Sequence, residues 1–206
     1  MIRNFKVLGL ALVAVLAMSA MVASSASAAQ FTATSGAKIE AKDTSNVKLT
    51  VTGQEVTCNS AVFTGTAPAA AFPSIGVNAA YNECKTGLGT NATVTGFGQH
   101  GEGGKCSFTL YAAGTADLNC PAGQEVTVDA ATCIVHIPAQ KGLGKLTYTN
   151  NGKHVDIGIN VTGITGNHTD GFLCPFGSGG HSTAAVLESS SAVTAIPSVG
   201  TLSWDA

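Results

Sequence analysis

Between Lys145 and Thr162 the chain alternates apolar and polar residues on both sides of a turn. Leu146 and Tyr148 oppose Lys145, Thr147 and Thr149. Beyond Asn150-Asn151-Gly152, the residues Val155, Ile157, Ile159 and Val161 oppose His154, Asp156, Gly158, Asn160 and Thr162. Side chains of an extended strand point alternately to its two faces, so a period of two predicts two strands. Asn and Gly tolerate positive φ, so the turn should join them as a hairpin. The same alternation sets Val47, Leu49 and Val51 on one face of Val47–Thr52, and Val126 and Val128 on one face of Gln124–Asp129. It also groups Cys133, Val135 and Ile137 within Thr132–Ile137.

Further strands are expected at Ala61–Thr64, Ile75–Tyr81, Ala92–Phe97, Ser107–Ala112, Ala184–Ser189 and Thr201–Trp204. Helical periodicity is nearly absent. About ten short strands, half polar and rich in Thr, predict an all-β fold: an antiparallel β-sandwich, with a barrel as the alternative. Two Gly-rich stretches, Gly96–Lys105 and Gly163–Ser182, read as loops. Val-Thr-Gly recurs at 51–53, 94–96 and 161–163, too irregularly for a tandem repeat.

The N-terminus has a different pattern. Arg3 and Lys6 precede an apolar run from Val7 to Val22, and small residues follow. This order reads as a secretory signal peptide over residues 1–28, cut after Ala28 with Ala26 at the −3 position. Residues 29–206 then form a single domain, large enough for one core. Removing Arg3 and Lys6 from ten basic residues leaves eight against twelve acidic ones. Charge is sparse and unclustered, which argues against nucleic acid as a partner. No second long apolar run is present, so no membrane span is expected after cleavage.

Six cysteines, Cys58, Cys84, Cys106, Cys120, Cys133 and Cys174, all fall after the cleavage point. An even count in an exported chain reads as three disulfides, and fifteen connectivities are open. Spacing favours the sequential pairing. Cys106 and Cys120 bracket a hairpin with its turn at Ala112-Ala113-Gly114-Thr115, which would bring the two sulfurs together.

Cys120-Pro-Ala-Gly123, Ala131-Thr-Cys133, Gln140, Leu146-Thr-Tyr-Thr-Asn-Asn151 and Val161-Thr-Gly-Ile164 resemble a group of exported, β-rich proteins. These proteins are abundant in actinobacterial genomes, often as paralogues. The resemblance runs roughly from Thr57 to Cys174. It implies export and a disulfide-stapled β fold. It implies no activity, because the group has none established. The His-containing Gly-rich stretches set this chain apart from it.

Candidate chemistry is thin. His136 and His154 should lie on polar strand faces. His100, His168 and His181 fall in the Gly-rich stretches, where Glu102 or Asp170 could join them around zinc or copper if the loops met. Their spacing matches no metal motif, so no metal and no cofactor is expected. There is no G-x-S-x-G, no evident carboxylate pair and no phosphate-binding loop, so no enzyme is expected. Phe97, Phe172 and Phe176 lie in or beside the same stretches, where they should plug the ends of the fold. Trp204 is the single Trp, and aromatic platforms for sugars are scarce. Two readings follow for a chain secreted or held at the cell surface. The first is a structural or surface-interaction protein without catalysis. The alternative is an extracellular binding module for a glycan, small ligand or metal, using the loops at 96–105 and 163–182. An extracellular hydrolase ranks last.

Overall fold

The computed structural model describes residues 28–43, 46–51, 54–98, 105–130, 133–170 and 182–206. The fold is all-β, built on one large antiparallel sheet. The strands are β1 (Gln30–Ala33), β2 (Lys38–Asp43), β3 (Val47–Val51), β4 (Gln54–Thr66), β5 (Ala71–Phe72), β6 (Ser74–Thr86), β7 (Asn91–Thr95) and β8 (Ser107–Tyr111). They continue as β9 (Thr115–Asn119), β10 (Val126–Ala130), β11 (Cys133–Ile137), β12 (Gln140–Gly144), β13 (Leu146–Asn151), β14 (His154–Asp170), β15 (Ser182–Pro197) and β16 (Leu202–Asp205). The expected hairpins are present: β8 turns into β9 through Ala112-Ala113-Gly114, and Asn151 of β13 stands opposite His154 of β14. The alternation holds as well, with Val126, Val128, Cys133, Val135, Ile137, Val155 and Ile157 all buried.

Four long strands organise the sheet, and each changes partner along its length. β4 pairs with β3 over Gln54–Cys58 and with β2 over Val62–Thr66. β6 pairs with β8 over Ser74–Val77 and with β7 at Cys84 and Lys85. β14 pairs with β13 over His154–Ile159 and with β11 over Asn167–Asp170. β15 pairs with β3 over Leu187–Ser190 and with β2 over Val193–Pro197. Because β4 and β6 also pair with each other, the ladder β3–β4–β6–β7–β10–β11–β14–β15 returns to β3. A sheet whose pairings close on themselves has no open edge along that circuit, and its inward face becomes the core.

β14 corrects one expectation. The stretch from Gly163 to Ser182 is not a loop throughout: residues 163–170 continue the strand, and 171–181 lie outside the described residues. The register against β15 slips between Val161 and Ile164, and Gly163 sits there at φ +76°. One inserted residue moves the inward positions from odd to even numbers. Val155, Ile157 and Val161 are buried before the slip, and Gly166 is buried after it. The bulge lets a 17-residue strand leave β13 and join β11 while keeping an apolar face inward. Gly96, in another Val-Thr-Gly, also has positive φ and follows directly on β7.

A small sheet ordered β16–β1–β5 lies beside the large one. Its aromatic residues lock to β13. Phe31 meets Phe72 at 5.7 Å and Tyr148 edge-on at 5.0 Å, and Tyr148 meets Trp204 at 5.7 Å between ring centres. The Trp204 indole N–H donates to Ala112 O at 2.9 Å, and the Tyr148 hydroxyl donates to Tyr111 O at 2.8 Å. Burial holds the Tyr148 hydroxyl above the ordinary phenol range.

Two disulfides join Cys58 to Cys84 and Cys106 to Cys120. The first links residues directly opposite on β4 and β6, and the second clamps the base of the β8–β9 hairpin. Cys133 is disulfide-bonded too, and Cys174, the partner expected for it, lies outside the described residues. Buried Asp117 accepts the Tyr111 hydroxyl at 2.9 Å and the Gly142 N–H at 2.8 Å, tying β8, β9 and β12 together.

Candidate functional site

The inward face of the circuit does not fill the space it encloses. A cavity of about 110 Å³ lies there, walled by side chains from β3, β4 and β6 through β14. Val56 and Val128, at no measurable exposure, show how tightly parts of the wall are packed. Leu49, Val94, Phe97, Phe108, Leu110 and Ile164 point into the same interior yet keep accessible surface. An apolar side chain with no neighbour on one side forfeits dispersion contacts there, so this hollow costs the fold stability unless something occupies it.

Each wall residue follows from local pattern. Ala92 and Val94 alternate inward along β7 against Asn91, Thr93 and Thr95. Val126 and Val128 do the same on β10. Phe97 comes just after Gly96 and bridges to Cys106. Its ring lies 5.8 Å from Tyr81 and 5.1 Å from Phe108, and Tyr81 meets Phe63 edge-on at 6.1 Å. Phe97 was expected to plug an end of the fold; it lines the interior cavity instead, with part of its surface accessible. Phe172 and Phe176 lie outside the described residues.

Among the described residues, Tyr81 is the one side chain of the lining with a polar end. Burial first, and the nearby Asp43 carboxylate second, push its hydroxyl well above the ordinary phenol range. Asp43 accepts the Ala61 N–H through Oδ2, while its buried Oδ1 has no hydrogen-bond partner among the described residues. Burial lifts the Asp43 carboxyl above the usual carboxylate range against the lowering effect of that bond. A raised carboxyl pKa means that the folded chain holds the proton more tightly than the unfolded one. Stability from this group is then highest below the unfolded pKa and falls as pH rises through the folded pKa. Asp43→Asn should melt higher than the parent at pH 7, with the gap closing at pH 3. Glu55 and Asp156 shift the opposite way, held down chiefly by Thr57 and by Thr194. Melting curves of parent and variant at both pH values isolate Asp43; a gap of equal size at pH 3 would refute this account.

Among the described residues the histidines do not gather. His136 and His154 sit on outward strand positions, but they are half-buried rather than exposed, at 27% and 32%. Each has a carboxylate beside it: Glu125 Oε1 lies 2.5 Å from His136 Nδ1, and Asp156 Oδ1 lies 3.8 Å from His154 Nε2. His168 stands opposite Val135 and Asp170 opposite Cys133 in the β11–β14 register. His100, Glu102 and His181 lie outside the described residues. Among the described residues no three His, Cys, Asp or Glu side chains come together as a metal group.

The cavity was not foreseen from the sequence, because no single strand carries it. One signal was present. Aromatic residues make up 6% of the chain, and a small inward residue such as Ala116 leaves space that a larger one would fill. No family model, curated protein or solved structure matches the chain.

Proposed function

We propose that this chain is an exported, non-catalytic binding protein that holds a small apolar molecule inside a disulfide-stapled β fold. The observation that carries the reading is the apolar cavity of about 110 Å³. Apolar cavities of about 150 Å³ stay dry and take up benzene or xenon, because such ligands restore the missing contacts without desolvating polar groups. Among the described residues the lining offers one hydroxyl and no carboxylate, imidazole or free thiol, so it is suited to enclosing a molecule rather than transforming it. This ranks binding above a purely structural or surface-interaction role, and puts the site inside the fold rather than at the Gly-rich stretches.

Export rests on the N-terminal pattern and is supported by two further facts. The disulfides are compatible with an extracellular or oxidising location. β1 begins at Gln30, so cleavage after Ala28 would remove none of the described strands, and Ala29 already packs against the core. Kinship with exported actinobacterial β proteins belongs to the same proposal.

Benzene should bind saturably and stabilise the protein. At ten times its dissociation constant it should add about 1.4 kcal/mol, or about 3–6 °C in melting temperature. Val94→Phe, which places a ring in the hollow, should keep or raise the melting temperature and abolish the benzene response. Calorimetric melts of both proteins with and without benzene are the test. A parent protein whose melting temperature benzene leaves unchanged would return the structural reading to first place.

A further inference from the structure

The interior is divided. A second hollow, about 40 Å³, lies toward the end covered by β1, β5 and β16, among Phe31, Phe72 and Leu202. Phe63, Leu110 and Ile159 line both spaces and so form the partition between them. Phe63 is its bulkiest member, only 8% exposed and braced edge-on by Tyr81. Beyond it, the smaller space is walled by buried side chains including Phe31, Ile39 and Val155. On the near side, Tyr81, Phe97 and Phe108 stand in succession, with centre spacings suited to aromatic contact.

Resting on the ligand-binding reading above, we infer that the cavity takes a compact, uncharged molecule of about one aromatic ring, and that Phe63 is the specificity-determining residue that turns away extended hydrocarbon chains. Among the described residues the chamber has no charged side chain in its lining, so an ionised ligand would lose its hydration without a counter-charge. Its volume is smaller than that of cavities known to hold one benzene ring. The rings along the wall give a flat ligand the edge and face contacts that a chain does not use. A chain long enough to pass Phe63 would have to displace a buried ring braced by Tyr81, into a space of about 40 Å³.

A series of benzene, ethylbenzene, butylbenzene and hexylbenzene tests this on the whole protein. Each methylene that finds room should tighten binding about fourfold, the equivalent of about 0.8 kcal/mol. In the parent, the gain should stop by butylbenzene, and hexylbenzene should bind no better than ethylbenzene. Phe63→Leu should restore the climb, tightening hexylbenzene at least tenfold while changing benzene less than about threefold. Phe63→Ala should do so more strongly if it folds, and the leucine variant carries the test without it. A parent that gains fourfold per methylene up to hexylbenzene would overturn the partition while leaving the ligand-binding reading standing. So would a Phe63→Leu variant with the parent's chain-length profile. If no member of the series binds the parent, the ligand-binding reading itself fails.

Discussion

Replacing Cys106 and Cys120 together with alanine lowers the melting temperature by about 6–12 °C. The bond joins residues 14 apart in sequence, and closing a loop of that size removes about 3 kcal/mol of entropy from the unfolded chain. Cys58–Cys84, with a separation of 26, is worth about 3.5 kcal/mol by the same relation. The two loops follow one another along the chain without overlapping, so the losses should be close to additive. Removing both would take away a large part of the 5–15 kcal/mol or so that holds a typical domain folded. Cys58 and Cys84 are both buried, so a reductant reaches their bond only after local opening, while Cys120 leaves the other bond partly accessible. Paired alanine variants, melted side by side in a calorimeter, therefore measure the effect more directly than added thiol. A Cys106/Cys120 variant that melts within a degree of the parent would mean that the β8–β9 hairpin is held by its packing and by Asp117 alone.

Gly96→Ala should be the most damaging glycine-to-alanine change among the described residues, costing about 3 kcal/mol. Gly96 has φ +98°, a region that a Cβ penalises, and the added carbon would stand 2.3 Å from Glu125 O and 2.9 Å from Val126 Cα. Both obstacles are backbone, held by the β7–β10 pairing and by the first residue of β10, so neither can swing aside. The displaced strand end carries Phe97 with it, and benzene affinity should fall along with stability. Gly163→Ala separates the two causes. That glycine also has positive φ, but nothing stands within 4 Å of the added carbon, so only the conformational strain of about 1 kcal/mol remains. Denaturant melts of both variants would decide it; equal losses would mean that the contact with Glu125 relaxes freely.

Local features of the chain were legible in the sequence. Alternation identified the buried side of β10, β11, β13 and the first part of β14, because the direction of a strand side chain depends only on its parity. The hairpins at Gly114 and Gly152 were legible because turn chemistry acts within a few residues, and a hairpin implies its own disulfide. β2 was missed although it alternates: Ile39 and Ala41 are buried against exposed Lys38 and Lys42, and alanine is too weak an apolar signal to mark a strand face. β12, with Gly142 and Gly144 among its five residues, reads as a turn until β9 pairs with it.

The sequence by itself determined that this chain is β-structured, which side of each well-patterned strand faces inward, and that Cys106 and Cys120 meet at the base of one hairpin. Tertiary structure alone decided that β4 pairs with β6 and closes the circuit, and that β14 runs through Gly163 to a new partner. Many of these strands are built from similar Val, Thr and Ala residues, so several pairings satisfy the local pattern equally, and only long-range packing chooses among them. The cavity belongs to the same class. Its volume is a difference between the space that the closed sheet encloses and the side chains sent into it, and no segment of the chain contains either quantity.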